Sequence, residues 1–296
     1  MPELPEVETC RRIIERELIG RTVTSVTVRL PKLLRFSPIP TLEPMIGRRV
    51  VAARRRAKIL IVDLSDDLSL VIHLKLSGQL ALHKLDGGRL TAGHPVPKPD
   101  GTYPHKSTHI EFGFDDGSTL YLSDIRQFGW VRLIATSEVE TLIASFKIGP
   151  DAIGDAGGIP AAELARRLAR RTIPIKLALL DQGVLGGVGN IYVDEALHRA
   201  KIHPTTPANA LTEQDVIGLH EAVQWALKRG IEQGGAKIIH GKAHPIDGFP
   251  AVHGRRDEQC PECGTVVIKT RVGTRGTYLC PTCQREPAHS ASVEVD

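Results

Sequence analysis

The sequence lacks any apolar run long enough to cross a bilayer, since its apolar runs, residues 59–62 and 70–72 among them, are far too short. Its opening residues, MPELPEVETC, are acidic and have neither the basic nor the apolar segment of a secretory signal. From these absences we expect a soluble, cytoplasmic protein. Of its 296 residues, 41% are hydrophobic and 24% are charged, which excludes bulk disorder. This length favours about two domains.

The sequence also has little net charge, and its formal value of +4 argues only weakly for an anionic partner. The basic residues are nevertheless clustered. Each cluster suits a polyphosphate such as a nucleic acid, and each could equally form an ordinary solvated face. The clusters are residues 48–58, with six basic residues and no acidic one; Arg166, Arg167, Arg170 and Arg171; and Lys269, Arg271 and Arg275.

The first half of the chain is dominated by alternation of apolar and polar residues. A helix is predicted over residues 5–19, with Cys10 on its apolar stripe, and a period of two then runs from about residue 22 to 134. Strands this closely spaced, without intervening helices, indicate an antiparallel sandwich or barrel. Asp115-Asp116-Gly117 predicts a hairpin turn, and residues 86–107 predict a long loop.

The second half changes to the helical period of 3.6. Helices are predicted over residues 161–171, 174–181, 191–200 and 212–233, with Thr212 capping the last and Asp215 three residues on. Residues 234–258 predict irregular structure. A hairpin is predicted over residues 266–270 and 276–279, and the polar tail after Gln284 is expected to be disordered.

Four of the five cysteines form two Cys-x-x-Cys pairs, Cys260/Cys263 and Cys280/Cys283, with sixteen residues between the pairs. This spacing is typical of a tetrahedral zinc site, whereas disulfides are disfavoured in the cytoplasm. Four cysteine ligands leave no position for a metal-bound water, so we expect one structural Zn²⁺ that folds the hairpin. Its task would be to hold Arg275 at a fixed place on the surface.

A glycine-rich segment, residues 183–190, joins the second and third of these helices. Its backbone N–H groups and the N-terminus of the next helix can form an anion site, with Asn190 able to cap that helix. The segment lacks the Gly-Lys-Ser/Thr ending of a nucleotide-binding P-loop, so no nucleotide cofactor is expected. The alternative is a turn that merely needs glycine.

The N-terminus offers a candidate nucleophile. Removal of Met1 would leave Pro2 with a free secondary amine, and an α-amino pKa of about 8 leaves a usable unprotonated fraction at neutral pH. Such an amine can attack a sugar C1′, displace a base and leave an iminium. Glu3 and Glu6 lie beside it and could relay protons. Taken alone, these residues could be no more than the start of a helix.

Several motifs in a fixed order resemble those of the formamidopyrimidine-DNA glycosylases, a family of base-excision repair enzymes. They are MPELPEVET at the start, RRAK at 55–58, HLKLSG at 73–78, DIRQFG at 124–129, GVGNIY at 187–192 and the terminal cysteine pairs. The resemblance runs from residue 1 to about 284. Leu4-Pro5 is typical of this branch rather than of the related endonuclease VIII branch.

The resemblance implies an α+β fold: an N-terminal helix and antiparallel β-sandwich, then a helix–two-turns–helix domain with a C-terminal zinc-finger β-hairpin. The expected boundaries are a catalytic domain over 1–135, a linker over 136–159, a DNA-binding domain over 160–240, a lesion loop and zinc finger over 241–284 and a tail over 285–296. The expected partner is damaged double-stranded DNA, bound by a monomer, with no role for a membrane.

The resemblance also implies an activity, that of a glycosylase and abasic-site lyase. The enzyme would excise oxidised purines (8-oxoguanine and formamidopyrimidines) and cut the strand by β,δ-elimination. Pro2 would be the nucleophile and Glu3 the proton donor that opens the sugar ring, with Glu6 a further candidate. The residues implied to contact phosphates near the damaged nucleotide are Lys58, Asn190 and Arg275; Lys58 and Arg275 also belong to the expected catalytic set.

Further DNA contacts follow from the same resemblance. Leu76, Arg126 and Phe128 would fill the space left when a base is flipped out, with Arg126 donating to the widowed cytosine. His105 and Lys176 are additional candidates. From spacing alone, Phe128 could equally enter the core. Leu76 continues an apolar stripe, so spacing favours a core position for it.

The sequence departs from the family pattern in several places. Leu76 stands where members usually have methionine, and His253 where tyrosine is usual. Residues 234–249 do not resemble the common loop that closes over oxidised guanine, which leaves a relative directed at oxidised pyrimidines or abasic sites as an alternative. A zinc protein that binds damage without catalysis is a second alternative. His73 is interpreted as a hydrogen-bonded strand histidine.

Overall fold

A computed structural model describes residues 2–98, 100–154 and 158–286. The chain divides into two compact units at the boundary between Lys147 and Ile148, which falls inside the expected linker. Nearly all of the tail expected to be disordered lies outside the described residues. Among the residues that are described, no helix is both long enough and apolar enough to span a membrane.

The first unit opens with helix α1 (Leu4–Glu17), close to the predicted range. Pro5 falls in its first turn, where a missing N–H costs nothing. Gly20, with φ of +86°, follows its end. Val7, Cys10 and Ile14 share the buried face, as predicted, and burial raises the pKa of the Cys10 thiol.

Nine strands of this unit are described, and they form two antiparallel sheets. One sheet has the order β1-β7-β8-β5-β6 and the other β2-β3-β4-β9. The strands are β1 (Val23–Val28), β2 (Val50–Arg56), β3 (Ile59–Leu64), β4 (Leu68–His73), β5 (Gly78–His83), β6 (Arg89–Gly93), β7 (Thr108–Phe114), β8 (Thr119–Asp124) and β9 (Trp130–Ala135).

Both sheets and α1 contribute to one apolar core. Leu60 and Leu70 enter it from the four-stranded sheet, Phe112 and Leu122 from the five-stranded sheet, and Ile14 from the helix. Fully burying a side chain of this size stabilises the fold by about 1.5–3 kcal/mol. The predicted antiparallel sandwich is therefore confirmed, as is the hairpin between β7 and β8.

Two elements of this unit differ from the sequence expectations. Strand β6 lies inside the segment predicted as a long loop, where it pairs with β5 at the edge of the sheet. Helix α2 (Val139–Ser145) lies inside the segment expected to be a linker. Both are short, and a segment of five or seven residues is too brief to show a clear period.

The second unit carries four α-helices among the described residues. They are α3 (Ala161–Leu168), α4 (Ile175–Leu180), α5 (Asn190–Arg199) and α6 (Glu213–Glu232), each close to its predicted range. The capping box of α6 is confirmed. The Asp215 N–H donates to Thr212 Oγ1 over 3.2 Å, and the Thr212 N–H donates to Asp215 Oδ2 over 2.9 Å.

Two short hairpins follow α6. In the segment predicted to be irregular, β10 (Ile238–Ile239) pairs with β11 (Lys242–Ala243) around a turn in which His240 and Gly241 both have positive φ. The second hairpin joins β12 (Ile268–Val272) to β13 (Arg275–Leu279). It lies between the cysteine pairs, as predicted.

Candidate active site

The start of the chain places two candidate catalytic residues at the N-terminus of α1. Pro2 and Glu3 are buried and immediately precede the helix. The Glu3 N–H donates to Glu6 Oε2 over 2.8 Å, so the Glu6 carboxylate caps the helix. This bond holds the Pro2-Glu3 backbone and brings a carboxylate next to it.

Lys58 lies in a two-residue turn between β2 and β3, where Arg56 pairs with Ile59. Its neighbour Ala57 has φ of +51°, which is unfavourable for a residue with a Cβ. Arg55 Nη1 donates to the Ala57 carbonyl over 3.0 Å and holds this turn.

Arg55 also connects that turn to α1. Its Nε donates to Glu8 Oε2 over 3.2 Å, and its side chain is only 6% exposed. Burial acts to raise the pKa of Glu8, but hydrogen bonds from Arg11 and Arg12 and the charge of Arg55 outweigh burial and hold that pKa low. Glu8 therefore stays ionised, and α1, which directly follows Pro2 and Glu3, is fixed to the turn that contains Lys58.

His73 lies at the end of β4, opposite Ile59 in the register. Its Nδ1 accepts from the Lys75 N–H over 3.0 Å, and its ring lies 5.6 Å from that of Trp130. Burial, with the charges of Lys75 and then Lys58, lowers the pKa of His73 to about 3. The imidazole is therefore neutral at physiological pH and lies near the Lys58 ammonium. It is hydrogen-bonded, as expected.

Leu76 and Phe128 lie in loops, outside the strands. Leu76 is half-buried in the turn between β4 and β5, and Phe128 is 52% exposed between β8 and β9. The Arg126 guanidinium lies 5.1 Å from the centre of the Phe128 ring. The alternative that Phe128 enters the core is therefore wrong, and the favoured core position for Leu76 is also wrong.

A buried carboxylate connects these two loops. Asp124, which is 2% exposed, accepts from the N–H groups of Arg126 over 3.2 Å and Gly129 over 2.8 Å. The Ser77 hydroxyl donates to the same carboxylate and accepts from the Arg126 N–H over 2.9 Å. The turn that carries Leu76 is thereby tied to the loop that carries Arg126 and Phe128.

His105 is half-buried in the segment before β7. Its Nδ1 accepts from the Ser107 N–H over 3.1 Å, and its ring lies 4.7 Å from that of Tyr103. Burial and the charge of His109 lower the pKa of His105. Its ring is therefore held in place in its neutral form.

The glycine-rich segment in the second unit is held by the side chains of Asp181 and Gln182, and Asp181 Oδ1 accepts from the Gly183 N–H over 2.8 Å. Gln182 accepts from the Gly187 N–H over 3.0 Å and donates to the Val188 carbonyl over 2.8 Å. The segment ends where α5 begins, at Asn190. Asn190 Nδ2 donates to the Gly276 carbonyl over 2.9 Å, and its buried Oδ1 lacks a hydrogen-bond partner among the described residues.

Lys176 does not present its charge to solvent. Its side chain is 0% exposed, and its Nζ donates to Asp194 Oδ1 over 2.6 Å and to the Gly276 carbonyl over 2.9 Å. An ammonium held in this way inside the unit is not available for a direct phosphate contact. The expectation that Lys176 contacts DNA is therefore corrected to a structural role beside Gly276.

Arg275 is exposed at the start of β13, and its backbone neighbour Gly276 is the residue held by Lys176 and Asn190. The preceding turn contains Gly273, with φ of +58°. A Cβ there would lie 3.2 Å from Leu177 Cδ1 of α4, so the turn packs closely on that helix.

The four paired cysteines converge at the base of this hairpin. Their sulfurs all lie within 4.8 Å of one another, with Cys260–Cys283 at 3.9 Å, Cys263–Cys280 at 3.4 Å and Cys263–Cys283 at 3.5 Å. Zinc–sulfur bonds of about 2.3 Å in a tetrahedron separate the sulfurs by about 3.8 Å, so the four residues fit one Zn²⁺.

The predicted basic clusters are partly neutralised within the fold. In residues 48–58, Arg48 pairs with Asp66, Arg54 with Asp63 and Glu140, and Arg55 with Glu8. In the second cluster, Arg166 and Arg167 pair with Glu163, and Arg171 with Asp181. At least three of the six basic residues in the first cluster and three of the four in the second are therefore paired with acidic side chains. Arg271 and Arg275 of the third are exposed.

Comparison with known proteins decides the family. Residues 1–131 match the formamidopyrimidine-DNA glycosylase N-terminal domain, residues 148–240 its H2TH domain, and residues 257–285 a zinc finger found in FPG and IleRS. The formamidopyrimidine-DNA glycosylase of Pelotomaculum thermopropionicum is 35% identical over 291 residues, covering 96% of this chain and 99% of that protein. The chain belongs to the formamidopyrimidine-DNA glycosylase family.

Solved structures of this family agree with that assignment. Lactococcus lactis Fpg in complex with DNA containing an abasic site has a TM-score of 0.82 and 32% identity. The same protein in complex with DNA containing Fapy-dG has a TM-score of 0.81 and 32% identity. Each match covers 96% of this chain and 100% of the other. The α+β fold and the structural zinc expected from the sequence are confirmed.

The structure reveals roles for three residues that were not predicted from the sequence. Arg55 connects α1 to the Lys58 turn, Asp124 anchors two loops, and Asp194 pairs with the buried Lys176. Arg55 and Asp124 lie in motifs by which the family was recognised, but a motif does not name their partners. Asp194 follows the GNIY segment on α5, and its one available sign was that it is an acidic residue next to a family motif.

Proposed function

We propose that this protein is a bifunctional DNA glycosylase and abasic-site lyase that removes oxidised purines, formamidopyrimidines and 8-oxoguanine among them, from duplex DNA. The observation that carries the proposal is the placement of Pro2. Pro2 lies just before α1, next to the buried residues Glu3 and Glu6, and Arg55 connects α1 to the Lys58 turn. The relatives named above as formamidopyrimidine-DNA glycosylases support this reaction class.

The proposed reaction begins with the amine of Pro2, freed by removal of Met1. Its lone pair attacks C1′ of the damaged nucleoside, and the bond from C1′ to the base breaks, the base leaving with the proton that the amine loses. The bond from C1′ to the ring oxygen then breaks as Glu3 donates a proton to that oxygen. The product is an iminium between Pro2 and an opened sugar. Loss of an acidified C2′ proton then expels the 3′ phosphate, and a second elimination expels the 5′ phosphate.

DNA must be held with the damaged nucleotide out of the stack, at a cost of a few kcal/mol. We assign phosphate contacts to Lys58 and Arg275. We assign a phosphate contact to Asn190 as well, because it lies at the N-terminus of α5 and its side chain donates to the Gly276 carbonyl, next to Arg275. Arg126, Phe128 and Leu76, with His105 as a further contact, are assigned to the duplex beside the flipped base.

Zinc supplies no chemistry in this proposal, because four cysteine ligands leave no open position. Cys260, Cys263, Cys280 and Cys283 would hold it and thereby fix the hairpin that carries Arg275. Residues 160–240 and the zinc hairpin are proposed as the DNA-binding part, and residues 1–135 as the catalytic part. We place the protein, acting as a monomer, in the cytoplasm with the chromosomal DNA.

Borohydride trapping tests this proposal. The protein is incubated with an 8-oxoguanine:cytosine duplex and, separately, with a plain abasic duplex, and the adduct is mapped by peptide mass. We expect an adduct on Pro2 with both substrates. The matched control carries a Gly-Ser extension before Pro2, which removes the free amine and changes no other side chain. Absence of an adduct on both duplexes, from protein with a verified free Pro2, would overturn the enzyme assignment.

One observation favours a second substrate class. Residues 238–243 form a tight hairpin in the segment that differs from the family's common loop over oxidised guanine. Just before this hairpin, the Ala236 N–H donates to the Tyr192 side-chain hydroxyl over 3.1 Å. An oxidised-pyrimidine duplex is therefore added to the trapping experiment. Trapping on the abasic and pyrimidine duplexes, without trapping on 8-oxoguanine, would keep the lyase and reassign the base specificity.

A further inference from the structure

The carbonyl of Gly276 accepts hydrogen bonds from two side chains of other elements, Lys176 Nζ and Asn190 Nδ2, each over 2.9 Å. Gly276 directly follows Arg275, so these bonds fix the peptide unit one residue beyond the Arg275 Cα and thereby restrain the backbone from which the Arg275 side chain extends. The hairpin is therefore not the only element that sets the position of Arg275. Helices α4 and α5 also set it.

Lys176 depends in turn on Asp194. Their 2.6 Å ion pair has both side chains 0% exposed, and a buried charge that loses its partner is strongly destabilised. The other oxygen of the same carboxylate, Asp194 Oδ2, lies 2.7 Å from His253 Nδ1 and accepts from the Tyr278 N–H over 3.2 Å. Asp194 is thus held on one side by Lys176 and on the other by His253.

His253 is well placed for this task. Its side chain is 10% exposed, its ring lies 4.8 Å from that of Tyr278, and its own N–H donates to Glu195 Oε1 over 2.8 Å. Because a carboxylate only accepts, His253 Nδ1 is the donor in its bond to Asp194. The bond fixes the carboxylate that in turn fixes Lys176.

We propose that His253 is a positioning residue for Arg275, acting through Asp194, Lys176 and the Gly276 carbonyl. This inference rests on the proposed function, in which Arg275 contacts a DNA phosphate. His253→Phe keeps a ring against Tyr278 and removes the donor, so Arg275 loses its fixed place. His253→Asn keeps an N–H donor at the position of Nδ1, so Arg275 keeps its fixed place.

Binding to a duplex with a tetrahydrofuran abasic analogue tests the proposal, measured at several salt concentrations. We expect His253→Phe to weaken binding roughly 10-fold and to lower the salt slope by about one, as loss of one phosphate contact does. His253→Asn should bind within about two-fold of the parent protein. The matched control is His220→Phe, which removes the 2.7 Å hydrogen bond between the His220 imidazole and the Ile159 carbonyl. This variant should leave the salt slope unchanged.

The decisive comparison is a double variant. Once Arg275→Ala has removed the contact, adding His253→Phe should weaken binding no further. Asp194→Asn keeps the side-chain shape, and adding it to Arg275→Ala should likewise weaken binding no further. It replaces His253→Phe in this comparison if His253→Phe fails to retain zinc. Additive effects, or His253→Asn binding as weakly as His253→Phe, would overturn the positioning role. Trapping at Pro2 on a plain abasic duplex is run in parallel, so that failure of the proposed function is seen separately.

Discussion

Arg55 and Glu8 form an ion pair over 3.2 Å between β2 and α1, with side chains only 6% and 10% exposed. The same guanidinium donates to the Ala57 carbonyl, so one side chain connects α1, which directly follows Pro2 and Glu3, to the turn that contains Lys58. Two parts of the proposed site far apart in sequence are thereby fixed within the first unit.

Replacing Arg55 should therefore impair the chemistry as well as the fold. We expect Arg55→Ala to lower the free energy of unfolding by about 2 kcal/mol, because Glu8 keeps two other arginines but the Ala57 bond is lost. The rate of borohydride-trapped adduct at saturating abasic DNA should fall by about 10-fold or more. Arg12→Ala is the control, since Arg12 bonds the same carboxylate but is 56% exposed. Equal effects of the two substitutions would contradict the prediction.

His73 should make the protein sensitive to acid. Its pKa of about 3 in the folded state lies below the ordinary value of 6.5, because burial and two lysines disfavour the charged imidazole. The unfolded chain therefore binds this proton first. The contribution of His73 to the free energy of unfolding is therefore fully present well above pH 6.5. It is lost as the pH falls from there towards 3, by at most about 1.4 kcal/mol per pH unit.

The test compares His73→Phe with the parent protein by urea unfolding between pH 8 and pH 4.5. The difference in unfolding free energy should be constant above pH 7.5 and should shift in favour of the variant as pH falls. A difference that stays constant across the whole range would show that His73 titrates normally in the folded protein.

Arg275→Ala should weaken binding to all duplex sequences alike. A phosphate contact carries no base information, so its loss should lower the salt slope by about one unit. Arg256→Ala is the control, because Arg256 is exposed in the same unit and pairs with the adjacent Asp257. If the salt slope of Arg275→Ala matches that of the parent protein, Arg275 is not a phosphate contact.

Zinc removal should unfold only part of the chain. The four zinc-binding cysteines hold the β12–β13 hairpin together. A chelator should therefore unfold this hairpin and weaken DNA binding, while the β-sandwich of the first unit stays folded. The two tryptophans, Trp130 and Trp225, lie one in each unit and report separately. In Trp225→Phe, the emission of Trp130 should be unchanged by the chelator. A shift to the emission of an unfolded chain would mean that the two units depend on one metal.

What the sequence predicted well is local. The apolar stripe of α1, the Thr212 capping box and each Cys-x-x-Cys pair involve residues a few positions apart, and the structure confirms all three. Helix and hairpin periods depend on the same short range. This is why the sandwich and the helical half could be recognised before any contact was known.

What the sequence did not predict depends on pairs distant along the chain. Glu8 and Arg55 are 47 positions apart, and Ser77 and Asp124 are likewise 47 apart. No periodicity relates such residues. Lys176 illustrates the consequence, because a lysine in a DNA-binding protein suggests a phosphate contact until its buried partner Asp194 is seen.

The shared anchor at Asp124 separates two kinds of sequence change. Leu76 and Phe128 extend from their loops, and neither provides the bonds that hold Asp124. A new side chain at either tip can therefore change the group that we propose to enter the duplex while the two loops keep their shape. A change at Asp124 would displace both loops together. The fold thus allows substrate preference to diverge at the tips by single substitutions, with little loss of stability along the way.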